Sequence, residues 1–162
     1  MSYATCDIQM LRGKEGEYVI KEFAVYDPNW DLDHAVTVGP PYEEKDIPQK
    51  YRNQNNYTTA YIHGIKWRNG SLPYALLLDT IHNMTAHYMK IYVKSEGKKI
   101  LLQRLIPHAQ VINIEVLGCP KLDKFPKLFV KNHGFEHSVF PLHKCAALNA
   151  KRIELWYAFS LI

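Results

Sequence analysis

Cysteine is scarce in this chain: three in 162 residues, an odd number at wide spacing. That argues against a disulfide-stapled scaffold and fits a reducing compartment, so an intracellular protein, cytoplasmic or nuclear, is expected. Long apolar runs are also missing. Stretches such as Ala75–Leu78 are far too short to cross a bilayer, so no membrane partner is expected. Met1–Leu11 has no basic segment followed by an apolar one, which argues against a secretory leader. No internal repeat is visible. What remains is ordinary globular composition, 47% hydrophobic and 22% charged, which predicts one ordered domain spanning residues 1–162.

The net charge of +4 hides an asymmetry. Residues 1–89 carry 8 Lys/Arg against 11 Asp/Glu, a net of −3, and residues 90–162 carry 12 against 5, a net of +7. A basic half points to an anionic partner, nucleic acid first, or to an ordinary solvated surface.

The opening is the clearest signal. Tyr3–Leu11 and Tyr18–Tyr26 are rich in aromatic and β-branched residues, and Gly13 and Gly16 lie between them, so a β-hairpin is predicted. Asp7 interrupts the first arm. A carboxylate in an apolar strand needs a reason: a solvent-facing position, a partner such as Lys21, or a place in a site. Ala35–Val38 reads as a third strand ended by Gly39-Pro40-Pro41. Residues 43–70 are polar and irregular. Pro48 suits a first helical turn, Asn53–Asn56 reads as a bend, and the segment as a whole reads as a wrapping or functional loop. Leu77, Ile81, Met84 and Tyr88 then recur at helical spacing within Leu72–Met89. Ile91–Val93 is a strand, Lys98–Leu105 a short helix with Leu101, Leu102 and Leu105 inside, and Val111–Ile114 another strand. Lys121–Val130 reads as a weak helix, and Cys145, Leu148, Arg152, Leu155, Trp156 and Phe159 form one stripe of a closing helix. The predicted fold is α/β: three antiparallel strands, then parallel ones, in a mixed sheet with helices on both faces.

Five segments in this order resemble the RNase H-like fold of the DEDDh 3′–5′ exonucleases. They are Asp7-Ile8-Gln9 with its partner Val19–Val25, Ile62-His63-Gly64-Ile65-Lys66 before a helix, Val93–Leu102, Val111–Ile114, and Lys144–Ala150. The resemblance covers nearly the whole chain and implies chemistry with two divalent metals held by four carboxylates, plus a histidine base. The site residues depart from that pattern. Asp7 keeps the first carboxylate position, but the second reads Gln9, the third falls at Lys98 or Lys99, the base position at Lys144 beside His143, and the last at Asn149. A lysine in a carboxylate's place removes a ligand and repels the metals, so no two-metal magnesium site is expected.

The thiols offer a replacement. Cys119, His143 and Cys145 are similar to the Maelstrom domain, a branch of this fold in which a Glu-Cys-His-Cys set replaces the acidic one, with Phe140 here in place of that set's first cysteine. The resemblance implies zinc, with a fourth ligand from His137, His133, Glu22 or Asp7; otherwise the cysteines are small buried hydrophobes.

The resemblance also gathers Lys94, Lys98, Lys99 and Lys144 around the old metal cleft, where ammonium groups could hold phosphates directly. Lys121, Lys124, Lys127 and Lys131 form a second basic strip or a solvated face. Tyr51, Tyr57, Tyr61 and Trp67 alternate with Arg52, Lys66 and Arg68, a composition that stacks unpaired bases or forms the core of the wrapping loop. Three functions follow as expectations. The first is a degenerate exonuclease-fold domain binding single-stranded nucleic acid, RNA foremost. The second is a nuclease with a non-standard site at Asp7, His143 and Cys145. The third is a scaffold for a protein partner.

Overall fold

The computed structural model of the chain describes residues 2–121 and 145–161. Strands β1 (Tyr3–Arg12) and β2 (Tyr18–Asp27) form the expected hairpin, and β3 (Leu32–Thr37) pairs antiparallel with β2. Strands β4 (Lys90–Val93) and β5 (Gln110–Asn113) join β1 on its other side in parallel, giving the order β3-β2-β1-β4-β5. The fold is therefore α/β around a five-stranded mixed sheet.

Period-2 alternation along β1 separates the two faces. Ala4, Cys6 and Ile8 join Leu77, Ile81, Leu102 and Val111 in the main core, beneath α2 (Leu77–Thr85) and α3 (Glu96–Leu105). On the other face, Thr5 donates to the Ala150 carbonyl of α4 (Ala146–Ser160) at 2.5 Å, and Ala24 packs on Ala146 and Ala147. Helices thus cover both faces. Among the described residues, no helix is long and apolar enough to cross a membrane.

A bulge sits in β2, where Gln9 pairs with Glu22 but Met10 pairs with Ile20, so Lys21 is the extra residue. The bulge changes the parity: Ile20 and Phe23 both reach the main core. Lys21 is fully buried and donates to the Trp67 carbonyl at 2.6 Å and the Asn69 carbonyl at 2.8 Å. It ties the wrapping segment to the sheet, and it is not the partner of Asp7.

Burial pushes the Lys21 ammonium down to about 8 from its ordinary 10.5. Between those values the folded chain releases the proton first, so this lysine's contribution to stability rises with pH. Burial also holds the Cys6 and Cys119 thiols protonated, and those groups pull the other way. The lysine is therefore isolated by difference. The stability of the native chain relative to Lys21→Met is expected to climb from about pH 8 toward 10.5 in urea titrations; a flat difference would reject a buried, charged Lys21.

Several elements differ from expectation: β3 runs Leu32–Thr37 rather than Ala35–Val38, and α3 begins at Glu96 rather than Lys98. Asn53–Asn56 is not a bend but the interior of α1 (Gln49–Thr58). The expected helix over Leu72–Met89 is shorter, one 3₁₀ turn at Tyr74–Leu76 and then α2, because Leu72 bonds instead to Thr37 and Gly39 in a bridge to the end of β3. The last strand stops at Asn113, followed by a 3₁₀ turn over Ile114–Leu117. In α4 the buried stripe is Ala146, Ala147, Ala150 and Ile153, whereas Leu148, Arg152, Leu155 and Trp156 are only partly covered. The weak helix expected from Lys121 lies outside the described residues from position 122 onward.

Candidate functional site

Along β1, the side chains on the α4 face meet that helix in antiparallel order. Tyr3 donates to Glu154, Thr5 to Ala150, and Asp7 receives Asn149. This register carries Asp7 to the first turn of α4, where anions are favoured by the helix's free N–H groups. Glu22 serves that end directly, its Oε1 accepting the Ala146 N–H at 2.6 Å.

Asp7 is 1% exposed, and its carboxylate is surrounded by donors. Oδ1 accepts from Lys98 Nζ at 2.7 Å; Oδ2 accepts from Asn149 Nδ2 at 3.0 Å and from Gln9 Nε2 at 3.4 Å. The four positions where the sequence departs from or keeps the acidic pattern therefore meet in one cluster. Its formal charge is one carboxylate against one ammonium, with two neutral amides. Among the described residues, the buried Asn149 amide oxygen has no hydrogen-bond donor.

The junction that delivers Lys98 is strained. Ser95, between β4 and α3, has φ 107°, a region that residues with a Cβ rarely occupy. It is held there by its N–H on Asn113 Oδ1 at 3.1 Å and by its hydroxyl oxygen, which caps α3 by accepting the Lys98 N–H at 3.3 Å.

Beside the cluster lies a groove of about 410 Å³ lined by Gln9, Arg12, Tyr18, Tyr57, His63 and Lys98. Arg12 stacks over the Tyr18 ring at 3.8 Å and donates to the Gly16 carbonyl at 2.8 Å. Tyr57 is 62% exposed and lies against Tyr61, ring centroids 4.9 Å apart. His63 is structural: its Nδ1 accepts the Ile65 N–H, which leaves Nε2–H to donate to the Met10 carbonyl. Arg12 and Tyr18 were not singled out by sequence reasoning. The only signal was their place on either side of the hairpin turn.

The other expected site residues are placed differently. Lys94 and Lys99 do not converge on Asp7; they pair with Glu115 at 3.2 Å and Glu96 at 3.6 Å. Trp67 is not a stacking platform. It is 4% exposed, packs with Leu11, Val19 and Ile47, and donates its indole N–H to the Tyr42 carbonyl, so it belongs to the wrapping segment's own core. Arg52 is half-buried, and among the described residues its Nε has no partner. Cys119 packs with Tyr92, Ile114 and Ile153, while Cys145 packs with Ala24, Ala146 and Ala147, two separate apolar clusters. Burial pushes the Cys119 thiol up to about 11. Glu22 is engaged at the start of α4 rather than with a thiol. Among the described residues, no three His, Cys, Asp or Glu side chains group closely enough to hold a metal. His133, His137, His143, Lys144 and the strip at Lys124, Lys127 and Lys131 lie outside the described residues. Comparison with protein-family models, curated proteins and solved structures finds no match for this chain.

Proposed function

We propose that this chain is an RNase H-like, exonuclease-type domain that has exchanged metal chemistry for direct binding of single-stranded nucleic acid, RNA foremost. The observation that carries the reading is the Lys98 ammonium seated on Asp7, with Gln9 and Asn149 completing the shell. The strand order β3-β2-β1-β4-β5, antiparallel then parallel, supports the same descent. In this reading a tethered cation stands where ions stood. Lys98 uses one of its three donors on Asp7 and, unlike Asp7, reaches the groove, being 22% exposed against 1%. Tyr57 supplies a ring for an unpaired base, and Arg12 adds positive charge along the path.

The test is fluorescence anisotropy with a labelled single-stranded RNA across a salt series. Lys98→Glu would set two carboxylates against each other, so the informative variant is Asp7→Asn with Lys98→Met, which removes the cation without changing net charge. Binding is expected to weaken with salt, to fall with that double variant, and to lose about 1–3 kcal/mol on Tyr57→Ala. Absence of binding at low salt, or affinity untouched by either variant, would reject the proposal. RNA cleavage in magnesium that Asp7→Asn abolishes would replace it with a nuclease.

A further inference from the structure

A second depression lies on the other flank of α1. It is a cavity of about 590 Å³ whose walls include Glu44, Asn56, Tyr61, Lys66, Trp67 and Arg68. The segment after Gly64 alternates strictly: Ile65 and Trp67 are buried, Lys66 and Arg68 exposed. Lys66 opens a turn closed by the Asn69 N–H on its carbonyl at 3.0 Å, Arg68 lies within that turn, and both cations line the cavity. Lys45, Lys94, Lys98, Lys99 and Lys151 each meet a carboxylate at 2.7–3.6 Å. Among the described residues, the Lys66 and Arg68 side chains have no ion pair or hydrogen bond. Like charges held together over a concave wall favour an anion between them.

The rest of the wall is not that of a bare anion site. Tyr61 is 69% exposed and offers a ring at the rim, and the Asn56 amide and Glu44 carboxylate are suited to the donor and acceptor edge of a base. The backbone there is a π-helical turn over Thr59–His63, a rare form frequent at functional sites, and it ends at Gly64 with φ 76°. The volume is within the range of small-ligand pockets.

We infer that this cavity binds one nucleotide unit, its base on Tyr61 and its phosphate on Lys66 and Arg68. The choice of a nucleotide rests on the function proposed above; the site itself is distinct from the groove at Lys98. Asn55 lines both depressions, and the Tyr57–Tyr61 pair joins their rims, so one strand can thread from the groove into the cavity.

Amide and indole N–H resonances read the site directly. The Trp67 indole signal is assigned by removing the other two with Trp30→Phe and Trp156→Phe. Adenosine 5′-monophosphate is expected to shift the Trp67 and Gly64 signals saturably. Lys66→Ala with Arg68→Ala, both exposed, should weaken that binding at least tenfold with an unchanged melting temperature. An oligonucleotide that gives the same shifts at lower concentration identifies a strand as the source; shifts by the mononucleotide alone identify a free nucleotide. Unmoved signals at millimolar mononucleotide and with the oligonucleotide overturn the inference, as does inorganic phosphate reproducing the full shift at equal affinity. Oligonucleotide binding that needs Tyr57 and Lys98 but leaves Trp67 and Gly64 unmoved would overturn this inference alone. Mononucleotide binding without oligonucleotide binding would overturn the groove reading alone.

Discussion

Lys98→Met is expected to lower the free energy of unfolding by about 2–3 kcal/mol, and Asp7→Asn in the same chain to return most of it. Removing one member of a fully buried pair costs about 3–5 kcal/mol, because the charge left behind has lost both water and partner. Asp7 is 1% exposed but keeps Asn149 and Gln9, and Lys98 is partly solvated, so the low end applies. Asp7→Asn alone should cost less, since its ammonium partner can turn toward water. The double variant leaves two uncharged groups and no stranded charge. Urea unfolding of the four proteins gives a coupling free energy, expected near 2 kcal/mol. Simple additivity would mean that the contact at 2.7 Å contributes nothing to stability.

Gly70→Ala should be more damaging, about 3–5 kcal/mol. Gly70 has φ 127°, where a Cβ is strained, and a Cβ at that position would overlap the Val38 carbonyl and the Gly39 nitrogen, neither of which is a flexible side-chain tip. This is the crossing where the wrapping segment meets the end of β3, fixed by Gly39 N–H on the Leu72 carbonyl at 2.7 Å. Gly118→Ala is the control. Its φ of 92° carries the same kind of strain, but nothing lies within 4 Å, so a loss of about 1–2 kcal/mol is expected. Equal losses at the two positions would show that the crossing is less tightly packed than the structure has it.

The sequence carried the sheet better than its wrapping. β1, β2, β4 and β5 are marked by dense β-branched and aromatic runs, and α2 and α3 by apolar spacing, because those elements bury a face in one shared core. α1 has no such face. Its interior Asn55 is used as a surrogate strand: Oδ1 accepts the Arg12 N–H at 2.7 Å and Nδ2 donates to the Arg12 carbonyl at 2.8 Å. A helix held by an amide pairing with a distant backbone leaves no periodic trace, so Asn53–Asn56 reads locally as a bend. The phase of α4 was hidden for a related reason. Leu148, Leu155 and Trp156 are only partly covered, and the contact with the sheet is made by alanines and Ile153.

At the site, the chemical departures at Gln9, Lys98 and Asn149 were visible as residue types. Their meeting on Asp7 depends on the register of α4 along β1 and on the strained turn at Ser95, neither of which a one-dimensional pattern records. Trp67 shows the converse. An aromatic between two cations has the composition of a nucleic-acid surface, yet the tryptophan is internal and only Lys66 and Arg68 face outward.

The thin alanine seam between α4 and the sheet gears the charge centre to side-chain volume. Asn149 reaches Asp7 beside a seam in which the helix residues packed on Ala24 are the alanines Ala146 and Ala147. A bulkier residue at Ala146 or Ala150 would act as a wedge, lifting the amide away from the carboxylate and leaving the lysine to hold it alone. Mutational drift in this seam and in the polar cluster is therefore constrained jointly, although no atom of Ala146 or Ala150 hydrogen-bonds to Asp7.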